Sequence, residues 1–483
     1  MSSSKEITRQ AIGYSGATLV TQLIGLVAAV LSRRFLGPVQ IGVWAIVQVV
    51  VEYSAYSSLG VSEAAPREIP YHIGKGDKAA AERIKNTVFS FATVSALVLS
   101  ALVALFALAR RPHLSPEMFW GLLFASLIIV LQRVNNLLVV LLRAYKDFAL
   151  AGKQMTLSAV VNAALTAALA YRYRFFGFML ALCLSYVFNI AYILWKSGIR
   201  IRVVFDWKEG WALMRYGFPL QLLGVLNTFV GNIDRILIAW LLGFHDVGLY
   251  LVAVMGYSYL AGVPNAVATV LVPHFHEEFG KRQNARELLG YLQKASRAFS
   301  ELMIVLVGCG WFLSPLFIQL ALPEFTEAIR AAQWLMLGSY FLALTHPYST
   351  FLIVIKKHLR LFIVMGVLAL MALAAYPPAI RSPHGIEAAA MVGAVLALAR
   401  FLMVYWLASR QVHEGDEAGH ELAGVLLRFA ALAALITAFE SLFAGLPDSW
   451  RPLAQTAAFL AASWPLCSGL YQKLFVFRAL RMA

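Results

Sequence analysis

Charge is scarce in this sequence. Asp, Glu, Lys and Arg together make up 13% of its 483 residues, about half the share usual in a soluble domain. No stretch is both long and polar enough to fold as a soluble domain. Cysteine is just as sparse. Cys183, Cys309 and Cys467 lie far apart in apolar runs and form no C-x-x-C, which removes the disulfide scaffold and the thiolate metal site. They read as small buried apolar residues. Acids are the scarcer charges, 25 against 40 Lys and Arg, for a net charge of +15. The segment HFHEEF, His274 to Phe279, lacks the H-E-x-x-H spacing that sets two histidines on one helix face, so no metal is expected.

What the chain does have is apolar length. Hydrophobic residues make up 60% of it. Runs long enough to cross a bilayer, about 20 residues each, recur from end to end. Barrel strands would show alternating segments of about ten residues instead. The expected fold is all-α and polytopic, with about fourteen transmembrane helices. The first apolar run has no A-x-A-type site behind it, so it is expected to stay as an uncleaved span. Lys and Arg favour one set of alternate loops over the other by roughly threefold, which puts both termini in the cytoplasm. The basic charge therefore reads as topology and attraction to anionic lipid, with no nucleic acid as partner.

One short pattern occurs twice. RRFLGPVQIGVW, Arg33 to Trp44, and LLGFHDVGLY, Leu241 to Tyr250, share an offset that pairs Leu36 with Leu242, Gly37 with Gly243, Gly42 with Gly248 and Trp44 with Tyr250. Each is the outer turn between two spans. Glycine suits a tight turn, and the aromatic is expected at headgroup level. The two turns lie six spans apart, an even number, which predicts a parallel repeat. The expected organisation is an N-lobe over 1–200, a C-lobe over 201–412 and a C-terminal helix pair over 413–483, with the two six-helix lobes around a central cavity.

The motif R-x-L-G-P-x-x-x-G, carried by Arg34, Leu36, Gly37, Pro38 and Gly42, and the motif carried by Gly217, Pro219, Asp234, Arg235, Gly243, Gly248 and Tyr250 resemble the polysaccharide transporter family. Leu141 to Ala144 (L-L-R-A) and Leu322 to Phe325 (L-P-E-F) look like the same family. It comprises the O-antigen and lipid-linked oligosaccharide flippases of the multidrug/oligosaccharidyl-lipid/polysaccharide exporter (MOP) superfamily. The resemblance implies a multi-pass protein of the bacterial inner membrane. Its substrate would be a glycan on undecaprenyl pyrophosphate, carried from the cytoplasmic to the periplasmic leaflet. Glycan polymerase and chain-length proteins are the protein partners it implies. It implies no cofactor, and H⁺ or Na⁺ as coupling ion. The last two spans would hold the lipid tail, as in related lipid II flippases.

Such a substrate needs a polar cavity with fixed cations, and arginine donates to phosphate oxygens in pairs while staying charged. Ionisable residues within spans cost about 2.5–3.5 kcal/mol at mid-span on insertion scales and are functional candidates. The candidates for substrate contact are Arg34, Arg133, Arg235 and Arg400, with Asn136 and Asn227. Glu52 and Asp234 are candidates for coupling or charge relay. Plain structural readings stand beside these. Arg34 at the interface is placed to snorkel, Asp234 and Arg235 to neutralise each other, and Glu52 to serve either as counter-ion or as proton carrier. The His346-Pro347 pair is expected to kink its span.

Two other functions fit a polytopic chain. An Na⁺- or H⁺-coupled multidrug exporter of the same superfamily would carry an acid-rich cavity, whereas the span residues here hold more Arg than acid. A glycan polymerase or ligase would need catalytic residues on a sizeable outer loop. The outward loops are short and hold no acid pair or nucleophile–base set, so no enzyme activity is expected.

Overall fold

Ala, Leu and Val runs form helices here because lipid offers the backbone no hydrogen-bond partner, so each span must satisfy its own N–H and C=O groups. The structure is a computed structural model that describes residues 4–145, 147–282, 288–355, 357, 359–411, 417–447 and 450–464. The side chains at 4–15, 19, 263, 265–282 and 417 stand outside that description. The described residues are overwhelmingly helical and contain no strand.

Thirteen α-helices follow one another among the described residues: α1 (Ser4–Ser54), α2 (Val61–Gly74), α3 (Lys78–Ala109), α4 (Pro116–Ala144), α5 (Phe148–Ser197), α6 (Trp207–Leu241), α7 (Phe244–Arg282), α8 (Leu289–Ala321), α9 (Ile329–Val354), α10 (Leu359–Ile380), α11 (Gly385–Ser409), α12 (Glu417–Leu442) and α13 (Arg451–Ser463). Nine described helices are long and apolar enough to cross a membrane. Helix count and expected span count differ for two local reasons. In α1 and α5 two legs run on through a single non-helical residue, Gly37 and Arg174 respectively. The expected second span, about 41–64, is instead interrupted. The helix stops at Ser54, a 3₁₀ turn covers Ala55–Ser58, and Leu59 and Gly60 take left-handed angles before α2 begins.

Helix starts follow from short polar side chains. Asp77, Ser115, Asp147 and Asp206 each accept a hydrogen bond from the backbone N–H three residues on, at 2.9 to 3.2 Å. These satisfy donors that a helix leaves orphaned in its first turn.

The chain divides into two compact units, Met1–Ala239 and Trp240–Ala483. In the first, α5 packs along α1 and α4, and α3 lies between α4 and α2. The cytoplasmic end expected of this unit is built from Val61, Ile69, Ile84, Val88, Leu137 and Leu141. The connector after α5 is extended along α3. There Lys85, only 4% exposed, donates to Glu82 (2.5 Å) and to the Arg200 carbonyl (2.8 Å). Asn86 and Ser90 accept from the N–H groups of Arg202 and Val204. Tyr145 donates to Glu82 from the end of α4, and burial beside that carboxylate pushes its hydroxyl up to about 12.

In the second unit α9 is central, packed against α7, α8 and α11. Its tyrosines tie neighbouring helices together. Tyr340 meets Ser300 of α8 at 2.6 Å and the Val425 carbonyl of α12 at 3.2 Å. Tyr348 donates to Glu421 of α12 at 2.7 Å. At the expected kink of His346-Pro347, α9 runs through Pro347 without a non-helical residue, so the helix is not broken there. The helices α12 and α13 pack on α8. Phe459 of α13 packs against Gly308, where a Cβ would lie 2.0 Å from its ring. Glu440 of α12 accepts from Trp311 at 3.0 Å and pairs with Arg330 at 3.5 Å.

The repeated turn places a glycine of positive φ in both units. Gly37 and Gly243 both take positive φ, +73° and +101°, a region where glycine carries no Cβ penalty. The paired aromatics are packed against protein. Tyr250 is fully buried, and Trp44 packs edge-on against Phe178. The tight turn aims both rings back into their own units.

Candidate functional site

A helix that stops inside a membrane leaves carbonyls needing partners, and an unmet one costs several kcal/mol in hydrocarbon. At the interruption after Ser54, neighbouring helices supply them. Arg133 of α4 donates from Nη2 to the Ser54 carbonyl at 2.6 Å and lies 3.3 Å from Ser57 Oγ. Gln221 of α6 donates to the Tyr56 carbonyl. The Tyr56 hydroxyl meets Thr228 of α6 at 2.6 Å, and Ser57 meets Ser95 of α3 at 3.2 Å. Three helices, α3, α4 and α6, therefore converge on one six-residue break.

Close approach of α6 makes this geometry available. Gly217 packs against Gly60 so tightly that a Cβ on Gly217 would lie 1.9 Å from the Gly60 carbonyl oxygen. Gly60 itself has φ +96°, and a Cβ there would lie 2.4 Å from the Phe218 nitrogen.

One turn deeper, charges are wired in series. Gln48 donates to Glu52 Oε1 and Asn232 to Glu52 Oε2, both at 2.8 Å. Arg235 donates to Asn232 Oδ1 at 3.0 Å. A buried amide, 3% exposed, thus bridges a carboxylate and a guanidinium. The Arg235 Nε is buried without a hydrogen-bond partner among the described residues. Asp234 turns back and accepts the Arg235 backbone N–H at 2.8 Å.

The candidates from the sequence divide accordingly. Glu52, Arg133 and Arg235 come together around the break. Arg34 is exposed at the outer turn, while its neighbour Arg33 donates to the Ala29 carbonyl at 3.1 Å. Asn136 and Asn227 are exposed on the surface of the first unit. Arg400 lies in the second unit on α11. Its Nε is buried without a hydrogen-bond partner among the described residues, and its charge acts on His346 of α9 and on Tyr257 of α7. The side chains of His274 to Phe279 lie outside the described residues. No group of three His, Cys, Asp or Glu is placed to hold a metal among those described.

Sequence reasoning missed Tyr56, Gln221, Thr228 and Asn232. The spacing of Gln221, Thr228 and Asn232 puts them on one face of α6. That periodicity was available, but the partner face was hidden because Glu52 and Tyr56 belong to a span read as continuous.

A bundle of long apolar helices in two units, with a repeated turn and polar groups gathered at a broken span, defines a polytopic helical membrane protein. The family described as polysaccharide biosynthesis protein matches residues 30–326, and the chain belongs to it. No protein of curated function matches it by sequence. Solved structures share its fold. The lipid II flippase MurJ in an inward closed conformation superposes with a TM-score of 0.74 at 16% identity, covering 96% of this chain and 100% of that one. An inward-facing multidrug resistance MATE transporter of the MOP superfamily superposes with 0.64 at 16% identity, covering 88% and 99%. A MOP superfamily transporter from Pyrococcus furiosus superposes with 0.57 at 16% identity, covering 88% and 96%.

Proposed function

We propose that this protein moves an undecaprenyl-pyrophosphate-linked oligosaccharide from the cytoplasmic to the periplasmic leaflet of the bacterial inner membrane by alternating access. The observation that carries this reading is the balance of charge within the spans. Glu52 accepts from two amides and Asp234 accepts a backbone N–H, while Arg235 and Arg400 each keep a buried Nε without a hydrogen-bond partner among the described residues. The positive groups have hydrogen-bonding capacity in reserve for an anion, which suits a pyrophosphate or an acidic sugar.

A multidrug exporter for organic cations would want the reverse, an acid with capacity in reserve. In the flippase reading Glu52 serves as counter-ion to Arg235 through Asn232, or as the proton carrier that couples the cycle to a gradient. The extra helices α12 and α13 would shelter the lipid tail. The test compares the leaflet distribution of undecaprenyl-linked glycans in cells with and without the protein. Accumulation on the cytoplasmic side in its absence supports the reading. An unchanged distribution for every candidate glycan, with efflux of organic cations in its place, overturns it.

A further inference from the structure

The first unit contains a polar cavity that none of the groups above line. It lies between α1, α4 and the two legs of α5 and has a volume of about 370 Å³, within the roughly 300–1,000 Å³ usual for small-molecule sites. The polar part of its wall is amide and hydroxyl, from Asn135, Gln154, Ser158, Asn162, Ser185 and Asn189, and apolar side chains such as Val139, Met155 and Leu182 line the rest. Four of these six polar residues, Asn135, Gln154, Ser185 and Asn189, are more than nine-tenths buried. Tyr186 adds an aromatic side chain, and Arg143, in the last turn of α4, is the cavity's one formal charge.

Part of the wall is wired to itself. Gln154 donates to Ser158 at 2.8 Å, Ser158 meets Asn189 Oδ1, and Asn162 donates to Ser185 at 3.3 Å. Part is not. Asn135 Oδ1 and Thr21 Oγ1, on two residues that line the cavity, are buried with no hydrogen-bond partner among the described residues. Buried polar atoms in proteins are nearly always paired, and each exception calls for an explanation. Two orphans on two of the helices that wall one cavity, α1 and α4, point to a guest that pairs them.

The wall chemistry selects the guest. An amide offers both donors and acceptors, and a hydroxyl does the same. A ligand matched to such a surface must itself donate and accept at closely spaced positions. The cavity brings no carboxylate to offset a desolvated cation, so it is poorly suited to a metal ion or an organic amine. An isoprenoid tail would leave its buried amides unpaired. A sugar ring fits both requirements, with hydroxyls for the amides and an apolar face for Tyr186. The cavity sits where α4 ends and α5 begins, the end that the charge bias of the loops assigns to the cytoplasm.

We propose that this cavity is a sugar-binding subsite that receives one ring of the glycan, a proposal that rests on the flippase reading for its biological meaning. The juxtaposition of Asn135, Gln154, Asn162 and Asn189 around one half-open cavity makes the site.

Binding and transport are measured separately. Purified full-length protein in detergent is probed by saturation-transfer NMR with the methyl glycosides of glucose, galactose, rhamnose, N-acetylglucosamine and glucuronic acid. At least one should receive saturation from the protein. Its affinity should fall about tenfold in Asn162→Leu and in Gln154→Leu, the scale of one lost buried partner, and stay unchanged in Ser382→Ala, between α10 and α11 of the second unit. Photoreactive diazirine glycosides on the wild-type protein provide a readout that needs no variant, and their adducts should map to peptides of α4 and α5. Failure of all five sugars, or adducts confined to other helices, overturns the proposal. The leaflet assay on wild-type protein judges the flippase reading alone. Sugar binding in the cavity without glycan relocation leaves the subsite standing and removes that reading. Relocation without binding does the opposite.

Discussion

Gly217 of α6 lies against the Gly60 carbonyl so closely that no residue with a Cβ fits at either position without moving backbone. This contact lets α6 supply Gln221, Thr228 and Asn232 to the interrupted span. It ties the sequence feature, two glycines in different spans, to the site.

The first prediction follows from that approach. Gly217→Ala forces a clash with a carbonyl rather than with a mobile side-chain end, and overpacking of this kind costs about 1–3 kcal/mol. Gly60→Ala adds the strain of a positive φ. Gly231 is the control, since it lies in the same helix with nothing within 4 Å of a built Cβ. Gly231→Ala should be neutral or stabilising by up to about 1 kcal/mol through helix propensity. Thermal unfolding in detergent should rank the three variants accordingly. Equal melting temperatures would mean that the break relaxes freely.

The second prediction concerns the bridge between Glu52 and Arg235. Asn232→Leu removes a donor from the carboxylate and an acceptor from the guanidinium, each partly buried. The loss should be about 2–4 kcal/mol, on the scale of one to two unmet buried groups. Glu52→Gln keeps the shape and most of the bonding, so its stability should stay within about 1 kcal/mol of wild type. Transport then separates the two roles of Glu52. A counter-ion tolerates the amide, whereas a proton carrier does not. The measurement is glycan relocation across pH 5.5 to 8 in the Glu52→Gln protein, where a flat, active profile assigns the structural role.

How much of this could be read beforehand depends on what kind of signal each feature leaves. Apolar runs report spans directly, because lipid imposes one solution on the backbone. The Gly37 and Gly243 turns were visible for the same reason, since positive φ restricts the residue type. The break at 55–60 was not visible. Ala55, Tyr56, Ser57, Ser58 and Leu59 are ordinary span residues, and only tertiary donors from α4 and α6 make a helix stop there affordable. The polar cavity of the first unit was missed for a related reason. Its amides lie one or two to a span and become a surface only when four helical legs meet. Charge drew attention to Arg133 and Asn136, while the neighbouring Asn135 holds the buried, unpartnered oxygen.

Arg133 supports the third prediction. Its guanidinium caps the Ser54 carbonyl at 2.6 Å. If that contact is its main task, Arg133→Met should destabilise the protein by about 1–3 kcal/mol, and Arg133→Lys should recover part of the loss. A purely substrate-binding arginine would behave differently. Both variants would then melt like wild type, and only glycan relocation would fall. Melting temperature and relocation measured on the same preparations distinguish the two.

The final prediction returns to the outer turns. Arg174, between the two legs of α5, has φ +51° and ψ −130°, a conformation that a side chain disfavours. Such a residue costs about 1–3 kcal/mol unless its surroundings hold it. Here its guanidinium donates to the Phe35 carbonyl at 2.6 Å, and Tyr171 packs edge-on against Phe35. One outer turn thus clasps the other, two residues before Gly37 redirects the chain. Arg174→Ala loses the clasp and keeps the strain. Arg174→Gly loses both, and gives back about 0.5–1 kcal/mol through a freer unfolded chain. Glycine should therefore be the milder substitution, by about 1 kcal/mol in thermal unfolding. If alanine proves equal or milder, the backbone at 174 relaxes without its side chain, and the turn between the legs of α5 is set by Gly177, where a Cβ would lie 2.0 Å from the Leu169 carbonyl oxygen.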